Sequence, residues 1–131
     1  MIDHLSTYAT NFDKTKQFYV QAFKPLGYDV QMEFVAEWNS EFPTQRMCAF
    51  GPQGRPIFWL IEVKNAATPR HIAFSANNRQ SVDDFYKAGL AGHGRDNGAP
   101  GLRPMYHQDY YGAFLLDPDG NNVEAVCHSP E

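Results

Sequence analysis

Cysteine is scarce in this chain: Cys48 and Cys127 are the two present, and they form no Cys-x-x-Cys pair. That excludes a disulfide framework and a thiolate zinc site, and it fits a reducing compartment. Long apolar runs are missing as well, since none approaches the roughly 18 residues of a membrane helix. The opening Met-Ile-Asp-His-Leu has neither the basic nor the apolar region of a secretory signal. A cytoplasmic protein without a membrane partner is therefore expected. Basic residues are few and scattered, 11 Lys and Arg against 15 Asp and Glu, which leaves no electrostatic footprint for nucleic acid. What the chain does have is aromatic bulk. Ten Phe and seven Tyr in 131 residues supply a core for one domain spanning 1–131.

That domain carries an internal repeat. A histidine followed fourteen residues later by Phe-Tyr occurs twice, at His4 with Phe18-Tyr19 and at His71 with Phe85-Tyr86. Sliding one half onto the other by 67 also aligns Ala9 with Ala76, Asn11 with Asn78 and Gly27 with Gly94. Six identities in the 24 positions from His4 to Gly27 predict two like modules, 1–65 and 70–128. Two imidazoles then occupy equivalent positions, which is how a pseudo-symmetric fold can build a metal site.

Each module reads β-α-β-β-β. In the first, 2–9 alternates as a strand with Leu5 on one face and His4, Ser6 and Tyr8 on the other. Asn11 is placed to cap a helix whose apolar stripe is Phe18, Tyr19, Ala22, Phe23 and Leu26, ended by Pro25 and Gly27. Strands follow at 28–35, 46–50 and 56–63, the last two joined by a Gly51-Pro52-Gln53-Gly54 turn. In the second, 70–76 alternates with His71, Ala73 and Ser75 on one face. Asn78 caps a helix bearing Val82, Phe85, Tyr86 and Leu90, which Gly94 stops. The loop-rich stretch 95–108 holds one short strand, and strands 110–116 and 121–127 flank the turn Asp117-Pro118-Asp119-Gly120.

Both histidine-bearing faces are otherwise polar or small, so something must occupy them. Glu124 sits mid-strand among Val123, Ala125 and Val126, where an unpaired carboxylate is costly. Two imidazoles and one carboxylate suit Zn²⁺, Ni²⁺, Mn²⁺ or Fe²⁺ and leave positions open for substrate and water. The segment 103–111 is rich in polar aromatics. It reads either as a pocket rim or as a loop packed by its tyrosines or by a dimer contact. As a rim, Arg103 holds an anionic group, while Tyr106 and His107 serve as acid or base and Tyr110 and Tyr111 bond substrate. His93 and His128, in a helix end and a tail, are assigned no role, and Trp59 is assigned to packing.

The segments IDHL, PLGY at the end of the first helix, RHIAFSA and DPDGNNVEAV resemble the vicinal-oxygen-chelate superfamily. That is the group of glyoxalase I, fosfomycin-resistance, bleomycin-resistance and extradiol dioxygenase proteins, and the resemblance covers essentially the whole length. FWL in the fourth strand and GRDNGAPGLRP before a tyrosine pair are similar to a small glyoxalase-like branch. The resemblance implies an α+β fold of two βαβββ modules forming a half-open curved sheet. It also implies a homodimer and a divalent metal on His4, His71 and Glu124, with Glu124 available as catalytic base.

One position departs from that pattern. A second glutamate is expected in the first module's last strand, yet four residues past Gly54 stands Phe58, which is assigned to the substrate side of the site. Glu62, four residues further on, lies roughly 13 Å along the strand. A two-histidine, one-carboxylate site leaves three readings: a glyoxalase-like lyase or isomerase on a small oxygen-rich substrate, taken as the default, an extradiol-type Fe²⁺ dioxygenase, and a metal-free drug-binding protein of bleomycin-resistance type.

Overall fold

Two asparagines open the helices in the same way. A computed structural model describes residues 2–131, and in it Asn11 accepts the Lys14 backbone N–H at 3.2 Å while Asn78 accepts that of Ser81 at 2.8 Å. Each bond satisfies one of the donors that a helix start leaves free. Helix α1 (Phe12–Phe23) buries Phe12, Thr15, Phe18, Tyr19, Ala22 and Phe23, then tightens into a 3-10 turn (Lys24–Leu26) closed by Gly27 at φ 78°. Helix α2 (Arg79–Ala91) buries Val82, Phe85 and Gly89. It stops before Gly94: Gly92 caps it, and His93 takes the left-handed turn at φ 73°. Gly94 is needed for another reason, because a Cβ there would overlap the Phe18 ring.

The strands are β1 (Leu5–Ala9), β2 (Asp29–Val35), β3 (Arg46–Gly51), β4 (Phe58–Glu62), β5 (His71–Ser75), β6 (Arg95–Leu102), β7 (Tyr111–Leu116) and β8 (Asn122–Cys127). They form two four-stranded sheets of matching order, β1-β4-β3-β2 and β5-β8-β7-β6, in which β1 pairs with β4 and β5 with β8 in parallel. The result is an α+β fold with both sheets open. Strand β6 runs eight residues rather than the short piece expected, its register broken around Gly98, a glycine at φ 148°. Bulges of this kind let a Gly- and Pro-containing segment pair despite its weak strand pattern.

Pairing fixes which residues of the two modules are equivalent. Ser6 lies opposite Trp59, and its repeat partner Ala73 lies opposite Glu124. The symmetry mate of Glu124 is therefore Trp59, one residue past the Phe58 that counting from the turns picks out. The turns differ in length by a residue, and in a strand that shift moves a side chain to the other face. Phe58 is fully buried on the helix side, 5.1 Å from Tyr19, 5.4 Å from Phe23 and 5.3 Å from Phe74 between ring centres. Glu62 shares that helix-side parity. Its carboxylate takes Arg46 Nη2 at 3.0 Å and the Arg46 backbone N–H at 3.0 Å, and these bonds hold its pKa below the ordinary range.

Strands β1 and β5 are the facing edges of the two sheets and run in opposite directions. Arg70 donates to the Ser6 carbonyl at 3.2 Å and Asn121 to the Thr7 hydroxyl at 3.3 Å, while at the other end His4 and Leu5 share a cavity with Phe74 and Ser75. A shared aromatic core joins the modules, with Phe23 4.8 Å from Phe74. The Asp117 loop adds a polar tie: Tyr19 of α1 donates to the buried Asp117 carboxylate at 2.6 Å. No described helix is long and apolar enough to cross a membrane.

Candidate functional site

Alternation in β5 and β8 decides what faces away from the helices. On β5 that face carries the exposed His71, Ala73 and Ser75, while Phe74 turns inward. On β8 it carries Asn122 and Glu124, while Val123 and Ala125 pack in the core. Phe114 lies opposite Glu124 on β7, and a cleft of about 620 Å³ is lined by His71, Tyr106, His107, Tyr110, Phe114, Asn122 and Glu124.

At its floor, His71 Nε2 stands 3.1 Å from Glu124 Oε1, and Glu124 is 1% exposed. His71 Nδ1 lies 3.1 Å from the Asn122 backbone carbonyl. A carbonyl can only accept, so Nδ1 carries a proton and Nε2 is the nitrogen turned toward the carboxylate. A nitrogen and a carboxylate oxygen at that distance share a proton or a cation between them. The Asn122 side-chain oxygen, on the same face, is buried and lacks a donor. Tyr110 closes the other side, its hydroxyl donating to Glu124 Oε2. Burial first, and then that bond, push the Tyr110 phenol up to about 12, so it remains a donor. Gly112 makes the approach possible, since a Cβ there would stand 3.1 Å from Glu124 Oε2 and 3.2 Å from Tyr110 Cε1.

The other sequence candidates fall at varied distances from this cleft. Tyr106 lies on its rim, with its ring 4.9 Å from that of Tyr110. His107 lines the cleft too, but both its nitrogens are engaged: Nδ1 accepts the Asp109 N–H at 3.2 Å and Nε2 stands 2.8 Å from His128 Nδ1. His128, given no role from sequence, thus joins the rim. His107 lies in the β6–β7 connection and His128 just past β8, so nothing in the sequence pairs them. Arg103 spends its guanidinium on the Gly101 and Ala99 carbonyls at 2.9 and 2.8 Å and lies over Phe114 at 5.4 Å. Tyr111 points the opposite way from Tyr110, donating to Asp83 of α2 at 2.7 Å, as strand alternation requires.

His4 does not reach His71 and Glu124 within one chain. It precedes β1, bonds Asp3 at 2.7 Å and lines a different cavity. Because β1 and β5 run in opposite directions, the repeat places the two imidazoles at opposite ends of the strand pair. Among the described residues, no group of three or more His, Cys, Asp or Glu side chains is arranged to hold a metal ion.

The family model for the Glyoxalase/Bleomycin resistance protein/Dioxygenase superfamily matches residues 1–125, and the chain belongs to that superfamily. A glyoxalase/bleomycin resistance protein from Albidiferax ferrireducens T118 superposes with a TM-score of 0.73 at 24% identity, covering 98% of this chain and 99% of that one. Lactoylglutathione lyase from Agrobacterium tumefaciens gives 0.66 at 21% identity over 97% and 92%. A glyoxalase I mutant from Zea mays gives 0.71 at 16%, with 95% of this chain covering 46% of that longer one. At these identities the likeness is one of fold. No curated protein matches the chain.

Proposed function

We propose that this protein is a metal-dependent enzyme acting on a small oxygen-rich molecule, with glyoxalase-like lyase or isomerase chemistry as the default reaction. The observation that carries the reading is the His71–Glu124 pair. A carbonyl behind an imidazole is how ligand histidines are oriented. An imidazole nitrogen and a carboxylate oxygen each about 2.1 Å from one divalent ion would stand about 3 Å apart, close to the separation found here. The donor set, nitrogen and oxygen without sulfur, suits Zn²⁺, Ni²⁺, Mn²⁺ or Fe²⁺. The ion, when bound, supplies Lewis-acid polarisation of two neighbouring substrate oxygens. The chain's own groups do the rest. Asn122 fixes the His71 ring, Tyr110 holds Glu124 by Oε2, and Glu124 is the carboxylate at hand to take a proton.

The third ligand in this reading is His4 from a second copy in a homodimer. The face of the first module's sheet that looks away from the helices is poorly covered, with Met32 of β2 45% exposed and Trp38, just past β2, 72% exposed. Laying that face over the His71–Glu124 cleft of another copy would bury apolar surface and bring an imidazole to two waiting donors. Metal analysis is the first test. The purified protein should take up a divalent ion, and His71→Ala should weaken uptake more than about tenfold. No uptake, together with no thermal stabilisation by any of the four ions, would sink the reading.

A further inference from the structure

Trp59 occupies the position that, by strand register, mirrors Glu124. Ser6 pairs with Trp59 as Ala73 pairs with Glu124, and His4 precedes Ser6 by the same two residues that separate His71 from Ala73. His71 reaches the side chain at its mirrored position, Glu124, at 3.1 Å. Carried over by register alone, the same relation would set the Trp59 indole beside a group bound by His4. Trp59 is half-buried and does not stand alone: the Phe34 ring lies 5.8 Å from it, and Trp38, 72% exposed, lies 5.5 Å from Phe34. The nearest acid on β4, Glu62, is on the opposite face and engaged by Arg46.

We infer that Trp59 is a specificity-determining wall of the site, so that the substrate carries a planar aromatic group next to its paired oxygens. This rests on the metal site proposed above, with His4 as a ligand. An indole cannot ligate a divalent ion or take a proton, so this side of the site offers only an apolar, polarisable face. A face of that kind discriminates by stacking and by area removed from water. Flanking Phe34 and Trp38 extend it in the direction away from β1, which gives room for a ring rather than a methyl group. The role goes beyond the packing assigned to Trp59 from sequence.

Lactate and mandelate test the inference, because both present an α-hydroxy carboxylate and differ as methyl against phenyl. Trp38→Phe leaves Trp59 as the only tryptophan, since the chain has two. In the Ni²⁺-loaded Trp38→Phe protein, mandelate should bind about tenfold more tightly than lactate and shift Trp59 fluorescence. Trp59→Ala in the otherwise native chain should remove that preference while leaving lactate affinity within about twofold. Trp59→Phe, a smaller ring, should retain part of it and serves as a folded control. Equal binding of the two acids to the native protein, or equal loss of both in Trp59→Ala, would overturn the wall alone. Failure of either acid to bind, with no Ni²⁺ uptake, would overturn the metal site and the wall with it. His71→Ala should abolish both acids, which separates ligand loss from wall loss.

Discussion

At the scale of the residue, Glu124 is the centre of the cleft, and its surroundings explain why a carboxylate survives in a strand otherwise lined with Val and Ala. One oxygen faces His71 and the other accepts from Tyr110. Tyr110→Phe removes that donor while keeping the ring that packs on Tyr106 and His107. A buried carboxylate that loses a hydrogen bond costs about 1–3 kcal/mol, so chemical denaturation should show a loss of that size. A spectrophotometric titration should also lose the phenol that ionises at about 12. An unchanged titration would place that phenol elsewhere. Glu124 was legible from sequence because an acid inside an apolar alternation is costly. Tyr110 was legible as one of a pair, and strand parity, which sends Tyr111 to Asp83, separates the two.

At the scale of the element, the loop between β7 and β8 is more than a turn. Asp117, fully buried, accepts from the Asp119 and Asn121 backbone N–H groups at 2.9 Å, from the Asn121 side chain at 2.8 Å and from Tyr19 at 2.6 Å. Asp119 reaches the Thr10 hydroxyl at 2.8 Å, so the second module's last turn clasps the start of the first module's helix. Asp117→Ala would strand several buried donors at once, and a loss of about 3 kcal/mol or more is expected in thermal or chemical unfolding. Asp117→Asn, which keeps one of the two acceptor oxygens, should lose less. The helices themselves were readable from caps and spacing. The end of α2 is not readable in this way: glycine at 94 signals a stop from sequence alone, whereas the helix ends at Ala91 and Gly94 is demanded by close packing against Phe18. Strand β6 is longer than its sequence suggests because bulges hide a pairing pattern from any period-two reading.

At the scale of the whole molecule, pseudo-symmetry separates the two histidines that it makes equivalent. If a homodimer joins His4 of one copy to His71 and Glu124 of another, complementary defects should rescue each other. His4→Ala and His71→Ala proteins, each poor in metal, should regain about a quarter of the native metal-binding capacity after mixing and exchange, through mixed dimers holding one intact site. Size-exclusion chromatography with light scattering would report the dimer, and metal titration the rescue. A mixture that binds no more than its components would overturn the shared site.

The sequence by itself determined the doubled βαβββ plan, the helix caps, the aromatic core and the candidacy of His71 and Glu124. All of these follow from local periodicity, the repeat and the energetic penalty of a carboxylate among apolar neighbours. Only the tertiary structure decided that Trp59 rather than Phe58 mirrors Glu124, that Tyr110 and not Tyr111 enters the cleft, and that His4 lies away from His71 in one chain. Each of those depends on inter-strand register or on the relative direction of β1 and β5. These are set by side-chain packing between segments far apart in sequence, and a one-residue difference there exchanges the two faces of a strand.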